Sequence, residues 1–203
     1  MAYTYARPSR TLTLATDLDG TFLGGSDSDR QRLYSLIESS RKSIRLLFVT
    51  GRSFQSVQPL FGQFGLPVPD ALICDVGTSV HLPDGRWFCE LLRTEIAASW
   101  GDGHVKIASA LADIEGLEQQ TRTGPFRLSY FFSEVANANA AKTIVESLGF
   151  DGLISDNKYF DVLPQGVNKG STLQRVIRSL EIDQNSVLVA GDTFNDLSML
   201  ISG

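Results

Sequence analysis

The amino-acid sequence predicts an α/β protein, built on a doubly wound parallel sheet with a Rossmann-like core and an inserted α+β cap domain. Two observations predict this fold class. Short apolar segments alternate with amphipathic segments of helical period, which is typical of a parallel sheet covered by helices on both faces. In the middle of the chain, this alternation gives way to hairpin signals, which indicate an inserted unit of a different class.

Four apolar segments are the predicted core strands. They read TLTLAT from Thr11, IRLLFVT from Ile44, DALICDV from Asp70 and SVLVAG from Ser186. Amphipathic segments such as SDRQRLYSLIESSRK and NKGSTLQRVIRSLEI stand between or before them and are the predicted helices. The order of strands and helices therefore predicts the doubly wound arrangement.

The middle segment carries the signals of an antiparallel unit. SVHLPDGRWF predicts a hairpin that turns at Pro83-Asp84-Gly85, and GLISDNKYFDVLP predicts a second hairpin that turns at Asp156-Asn157. FRLSYFFS is a predicted strand, with Tyr130, Phe131 and Phe132 alternating between cap core and surface, and NANAAKTIVESLGF is a predicted helix. We therefore predict a core of residues 1–81 and 165–203 and a cap of residues 82–164.

The chain ends one or two turns into the helix predicted after SVLVAG. A doubly wound sheet ordinarily continues beyond such a helix. Met199, Leu200 and Ile201 are then expected to have little to pack against, so we expect the C-terminal end to be truncated.

Composition excludes several classes of partner. The formal net charge is −5, without a Lys/Arg run, which excludes nucleic acid as a partner. No apolar run approaches the roughly 20 residues that span a bilayer, and the N-terminal segment lacks the apolar region of a signal peptide. Cys74 and Cys89 have no CxxC spacing. These features predict a reduced, cytoplasmic protein with no membrane partner.

Polar residues follow the predicted strands where each strand ends. Asp17 and Asp19 follow the first strand, Thr50-Gly51-Arg52 the second, and Gly191-Asp192 the last, with Asn195 and Asp196 just beyond. The carboxyl ends of parallel strands lie at one edge of the sheet, so these groups are expected to converge. Clustered carboxylates repel one another unless a cation lies between them, and oxygen ligands favour Mg²⁺ over zinc.

This arrangement predicts the chemistry of phosphoryl transfer. Asp17 is the predicted nucleophile, and Asp19 the predicted general acid and base. Mg²⁺ is predicted to bind Asp17, the carbonyl oxygen of Asp19 and Asp192, with Asp196 holding a ligating water. The predicted substrate-binding residues are Thr50, Gly51, Arg52, Lys169 and Asn195.

The segments DLDGT, TGR, NKG and GDTFND resemble, in order and setting, the four motifs of the haloacid dehalogenase-like phosphatases. The insertion between the second and third motifs is similar to the large α/β cap of some members. The sequences around these motifs most resemble those of sucrose-phosphate phosphatase and related sugar phosphatases. They are DVLPQGVNKGSTLQRV, VAGDTFNDLSML and TGRSFQSV. The resemblance implies the same roles for Asp17, Asp19, Thr50, Lys169, Asp192 and Asp196. It also implies Mg²⁺ as cofactor and a small sugar phosphate as substrate, with sucrose 6-phosphate as the leading candidate.

Three other functions are compatible with parts of this pattern. A phosphosugar mutase would use the same nucleophile and return the phosphoryl group to the sugar. A receiver-type domain also gathers aspartates near a lysine, but it needs neither an inserted cap nor a second acidic motif. A non-catalytic domain would bind a sugar phosphate or a sugar-phosphate synthase partner, although a repelling acidic cluster brings such a domain no benefit.

Other conspicuous side chains are interpreted as structural. His81 and His104 have no partners at metal-ligand spacing, and neither is expected to be catalytic. Trp87 and Trp100 are expected to pack in the interior rather than to stack on a sugar ring.

Overall fold

The computed structural model describes residues 11–121 and 123–201. The strands are β1 Leu12–Thr16, β2 Ile44–Val49, β3 Ala71–Cys74, β4 Ser79–His81, β5 Leu117–Gln119, β6 Leu128–Phe132, β7 Phe150–Ser155, β8 Tyr159–Pro164 and β9 Val187–Ala190. The helices are α1 Asp27–Ser39, α2 Phe54–Phe64, α3 Glu90–Trp100, α4 Gly103–Leu111, α5 Val135–Ser147, α6 Lys169–Ser179 and α7 Leu197–Leu200.

The first sheet has the strand order β4-β3-β2-β1-β9. Strands β3, β2, β1 and β9 pair in parallel, and β4 adds to the edge in the antiparallel sense. Helices cover both faces: α1 and α2 pack on one face, and α3, α6 and α7 on the other. The four predicted core strands are present, and the predicted fold class is confirmed.

The second sheet is antiparallel, with the strand order β5-β6-β8-β7. The predicted β7–β8 hairpin lies in this sheet, whereas the predicted hairpin at Pro83-Asp84-Gly85 extends β4 of the first sheet through a single bridge between His81 and Trp87. The residues Asp156 and Asn157 turn the β7–β8 hairpin with positive φ angles of 53° and 48°. Tyr130 and Phe132 are buried in the apolar cluster of this unit, and Phe131 is only half-buried, as the alternation predicts.

Helix α3 links the apolar interiors of the two units. Its residues Leu92 and Ile96 lie in the cluster of the parallel sheet, whereas Trp100 lies in the cluster of the antiparallel sheet. Helices α3 and α4 and strand β5 are not among the elements predicted from the sequence. In α3 the buried residues Leu92, Ile96 and Trp100 recur every four residues, which is a helical signal that could have been found.

The last helix corrects one expectation. Met199 is 1% exposed and packs in the cluster of the parallel sheet, although it was expected to have little to pack against. Leu200 and Ile201 are exposed, at 47% and 70%. The expectation of a truncated C-terminal end also concerns residues 202–203. These two residues lie outside the described residues.

Several smaller expectations concern single side chains. His81 Nδ1 lies 3.3 Å from the carbonyl oxygen of Gly85, and His104 Nε2 lies 3.1 Å from that of Pro125. Trp100 is 3% exposed and packs in the interior as expected, whereas Trp87 is only half-buried and packs against His81. No helix among the described residues has the length and apolar character to span a membrane.

Candidate active site

Asp17 lies directly after β1, where the buried strand reaches the edge of the sheet. Its backbone N–H donates to the carbonyl oxygen of Ala190 at the end of β9, which fixes the two strand ends side by side. Asp17 is 5% exposed. Its Oδ1 accepts a hydrogen bond from Lys169 Nζ at 2.6 Å, 152 residues away in the chain. This hydrogen bond thus joins the first and third predicted motifs.

Lys169 is the first residue of α6 and is fully buried. Asn168 caps the helix: its side chain accepts from the N–H of Ser171, while the Ser171 hydroxyl accepts from the N–H of Asn168. This capping box starts the helix at Lys169. Asn168 thus caps the helix, while the side chain of Lys169 extends to Asp17.

The loop after β9 holds the same ammonium group from the other side. Lys169 Nζ also donates to Asp196 Oδ1 at 2.6 Å and to Asn195 Oδ1 at 3.0 Å. The second oxygen of Asp196 accepts from the backbone N–H groups of Asp192 and Thr193 at 3.1 and 3.0 Å. Both oxygens of Asp196 are thus engaged, which suits a residue that orients the loop and the lysine.

Arg52 pairs with Asp19 on the open side of the site. Arg52 Nε and Nη2 each donate to a different oxygen of Asp19, both at 2.7 Å. The Asp19 side chain is 54% exposed, whereas that of Asp17 is buried. Each of the two carboxylates therefore has its own basic partner within the chain, Lys169 for Asp17 and Arg52 for Asp19.

Asp192 packs closely against the turn that follows β1. Its Oδ1 accepts from the Thr21 hydroxyl at 3.0 Å. A Cβ at Gly20 would lie 2.1 Å from its Oδ2, so only glycine fits there without displacing the carboxylate, and the φ of +79° at Gly20 also favours glycine. Asp17, Asp192 and Asp196 each offer an oxygen within 4.8 Å of the others. Among the described residues these carboxylates form a donor set of the kind that Mg²⁺ prefers.

Burial controls the ionisation of Asp17. It raises the pKa of this carboxyl group from 3.8 to about 6, because the charged form loses contact with water. The Lys169 ammonium acts in the opposite direction and lowers the pKa, while the charge of Asp196 adds to the increase. Near neutral pH, Asp17 is therefore mainly a carboxylate, as a nucleophile requires.

The segment Thr50-Gly51-Arg52 follows β2 and forms a tight loop. The backbone N–H of Arg52 donates to Thr50 Oγ1 at 3.1 Å. Thr50 is fully buried, and Gly51 and Arg52 line the cavity next to Asp17 and Asp19. The structure thus brings every predicted site residue to one edge of the sheet, although Arg52 contacts Asp19 and Asn195 contacts Lys169.

A cavity of about 750 Å³ lies between the two sheets, above these side chains. The antiparallel unit supplies part of its lining, and these residues were not predicted from the sequence. They are Gln120, Arg127, Ser129, Ser155, Asp156, Tyr159 and Asp161. These residues belong to no sequence motif. They come from separate segments of the antiparallel unit, and they have in common only that they lie on its side that faces the core.

Comparison with known proteins places this geometry in a family. A model of the sucrose-6F-phosphate phosphohydrolase family matches residues 10–203. The mannosylfructose-phosphate phosphatase of Agrobacterium fabrum is 32% identical over 196 residues, which cover 92% of this chain and 77% of that protein. The structure of the sucrose-phosphatase of a Synechocystis species, in complex with sucrose and phosphate, superposes with a TM-score of 0.83 at 26% identity and covers 94% of this chain and 79% of that one.

A higher identity is found with a larger protein. The glucosylglycerol-phosphate synthase of Pseudomonas anguilliseptica is 48% identical over 190 residues, which cover 93% of this chain but 25% of that protein. This chain therefore spans about a quarter of the length of that relative. The match to the family model covers nearly the whole sequence, and the predicted resemblance is confirmed. The chain belongs to the sucrose-6F-phosphate phosphohydrolase family, within the haloacid dehalogenase-like superfamily.

Proposed function

We propose that this chain is a Mg²⁺-dependent phosphomonoesterase that hydrolyses a small sugar phosphate through an aspartyl-phosphate on Asp17. The observation that supports this most strongly is the contact of the buried Lys169 ammonium with both Asp17 and Asp196 at 2.6 Å, next to Asp192. Such a cluster of charges is costly to bury, and a binding module alone has no need of it.

In the proposed reaction, the Asp17 carboxylate attacks phosphorus as the bond from phosphorus to the sugar oxygen breaks. Lys169 orients one oxygen of Asp17, and the other is the attacking atom. Asp19 gives a proton to the leaving alkoxide and later takes one from the water that attacks the aspartyl-phosphate. That second step releases inorganic phosphate and restores Asp17.

The donor set fits a magnesium ion. Asp17, Asp192 and the carbonyl oxygen of Asp19 would hold it, and Asp196, whose oxygens are already engaged, would hold a bound water. Mg²⁺ supplies positive charge that offsets the charge on the phosphoryl oxygens. Thr50 and the N–H of Gly51 donate to those oxygens, and Lys169 adds positive charge.

The relatives and the cavity support a sugar phosphate as the substrate class. A volume of about 750 Å³ is large enough for a small glycoside, and its lining is rich in hydroxyl, amide and carboxylate groups. The family makes sucrose 6-phosphate the first candidate. The 48% identity with a glucosylglycerol-phosphate synthase makes glucosylglycerol phosphate the second, since a phosphatase unit within such a protein would act on the synthase product.

The test is phosphate release from a panel of esters: sucrose 6-phosphate, glucosylglycerol phosphate, mannosylfructose phosphate and p-nitrophenyl phosphate. We expect Mg²⁺-dependent release of inorganic phosphate that stops when a chelator is added. We also expect a far higher kcat/KM for one of the three sugar phosphates than for p-nitrophenyl phosphate. Conversion of the sugar phosphate to an isomer without phosphate release would instead indicate a mutase. Binding without turnover would indicate a non-catalytic domain.

A further inference from the structure

The cap reaches the phosphate-binding loop through one buried side chain. Arg127 lies just before β6, in the segment that the sequence assigns to the cap, and its Nη1 donates to the carbonyl oxygen of Gly51 at 2.8 Å. The Arg127 side chain is 7% exposed. A guanidinium group that is buried against a loop carbonyl constrains both the loop and the segment that carries it.

Acidic groups from both units hold this guanidinium in place. Its Nη2 lies 3.4 Å from Oδ1 of Asp75, at the end of β3, and its Nη1 lies 3.6 Å from Oδ1 of Asp161, in β8. The side chains of Asp75 and Asp161 are 3% and 10% exposed. Ser79 donates to Asp75 Oδ2 at 2.8 Å, so the core carboxylate is itself fixed. Arg127 therefore lies between one core carboxylate and one cap carboxylate.

The Arg127 bond completes a set of three around the loop. The carbonyl oxygen of Thr50 accepts from the N–H of Val76 at 3.2 Å, and that of Arg52 accepts from the N–H of Asp75 at 2.9 Å. Both of these donors belong to the core. The carbonyl oxygen of Gly51, between them, accepts from Arg127, so one donor of the three comes from the cap.

This middle bond determines what the Thr50 hydroxyl can do. In a trans peptide the C=O and N–H point in opposite directions, so fixing the Gly51 carbonyl also fixes the N–H of Arg52. That N–H donates to Thr50 Oγ1 at 3.1 Å. With a lone pair of its oxygen occupied in this way, the hydroxyl is oriented to donate its own hydrogen to another acceptor.

We propose that Arg127 is a positioning residue through which the seated cap orients the Thr50-Gly51-Arg52 loop for phosphate binding. The proposal rests on the proposed function, because it takes this loop as the site of the phosphoryl group. It differs from a role in sugar recognition, since Arg127 then acts on the phosphate end that all substrates share. Loss of Arg127 must consequently affect large and small esters alike.

The experiment compares Arg127→Met with Arg86→Met, in which the arginine removed is 76% exposed and pairs with Asp84. Calorimetry with inorganic phosphate and Mg²⁺ measures phosphate binding without turnover. The value of kcat/KM is measured for p-nitrophenyl phosphate and for the sugar phosphate that the wild-type protein hydrolyses best. In Arg127→Met, we expect the Kd for phosphate to rise at least about tenfold and both kcat/KM values to fall by the same factor. Arg86→Met should match the wild-type protein.

A wild-type Kd for phosphate in Arg127→Met would overturn the proposal. A decrease of kcat/KM for the sugar phosphate alone would overturn it as well, because Arg127 would then be a sugar-binding residue. Because Arg127→Met leaves Asp75 and Asp161 buried without their counterion, it can fail to fold. The double variant Asp75→Asn/Arg127→Met removes two of these three charges, while Asp161 keeps the Ser129 hydroxyl as a hydrogen-bond donor, and it is judged by the same outcomes. Absence of phosphate release by the wild-type protein would instead refute the proposed function itself.

Discussion

Replacement of Lys169 by methionine tests the charge balance of the site. The ammonium group is fully buried and lies 2.6 Å from both Asp17 and Asp196, whose side chains are 7% and 0% exposed. Methionine has a similar length but no charge, so Lys169→Met leaves two buried carboxylates facing each other. Breaking a buried ion pair in this way costs about 3–5 kcal/mol of the free energy of unfolding. For a chain of this length, that corresponds to a decrease in Tm of roughly 6–20 °C.

The loss should depend on pH. Burial already raises the pKa of Asp17 to about 6, and removal of Lys169 removes a cause that lowers it. A carboxyl group whose pKa is higher in the folded than in the unfolded state does not reduce stability below the unfolded-state pKa of 3.8. As the pH rises through the folded-state pKa, the same group lowers the free energy of unfolding. The deficit of Lys169→Met relative to wild type should therefore be larger at pH 8 than at pH 5.

The assay is thermal unfolding at pH 5 and pH 8 with a chelator present, so that no metal compensates for the lost charge. Lys106→Met is the matched control, because Lys106 is 56% exposed and its pair with Asp102 lies on the surface. We expect this control to shift Tm by on the order of 1 °C or less. If Lys169→Met melted within that range of the wild-type protein at pH 8, the interpretation of Lys169 as the counterion of the buried carboxylates would be wrong.

Further predictions concern the nucleophile, the acid/base residue and the metal. Asp17→Asn should abolish phosphate release, and near-normal turnover would contradict the covalent mechanism. Asp19→Asn should lower kcat by about 10²- to 10⁴-fold while substrate still binds, as calorimetry can verify. Gly20→Ala should weaken Mg²⁺ binding, because the new Cβ would meet the Asp192 carboxylate; Gly62→Ala, where nothing lies within 4 Å, is the control, and equal affinities would count against this metal site. Calcium should support turnover poorly, because its coordination shell is larger and looser than that of Mg²⁺.

The fold class, and the edge of the sheet at which the site lies, can be predicted from local sequence patterns. Hydrophobic periodicity is a local property, so β1, β2, β3 and β9 could be read from short segments, and the polar residues that follow a strand must lie at its end. The convergence of Asp17, Thr50 and Asp192 follows from the parallel direction of the strands that they follow. Helix α3 also carries a local signal, the recurrence of Leu92, Ile96 and Trp100 every four residues.

The pairing of the charges depends on the tertiary structure. Lys169 lies between Asp17 and Asp196, and Arg52 pairs with Asp19. These pairings depend on side-chain directions at the end of the sheet, to a precision that strand order does not provide. The contact of Arg127 with Gly51 spans 76 residues and two sheets. It exists because the cap docks on the core in one orientation, and such docking is fixed by the summed packing of both units rather than by any local pattern.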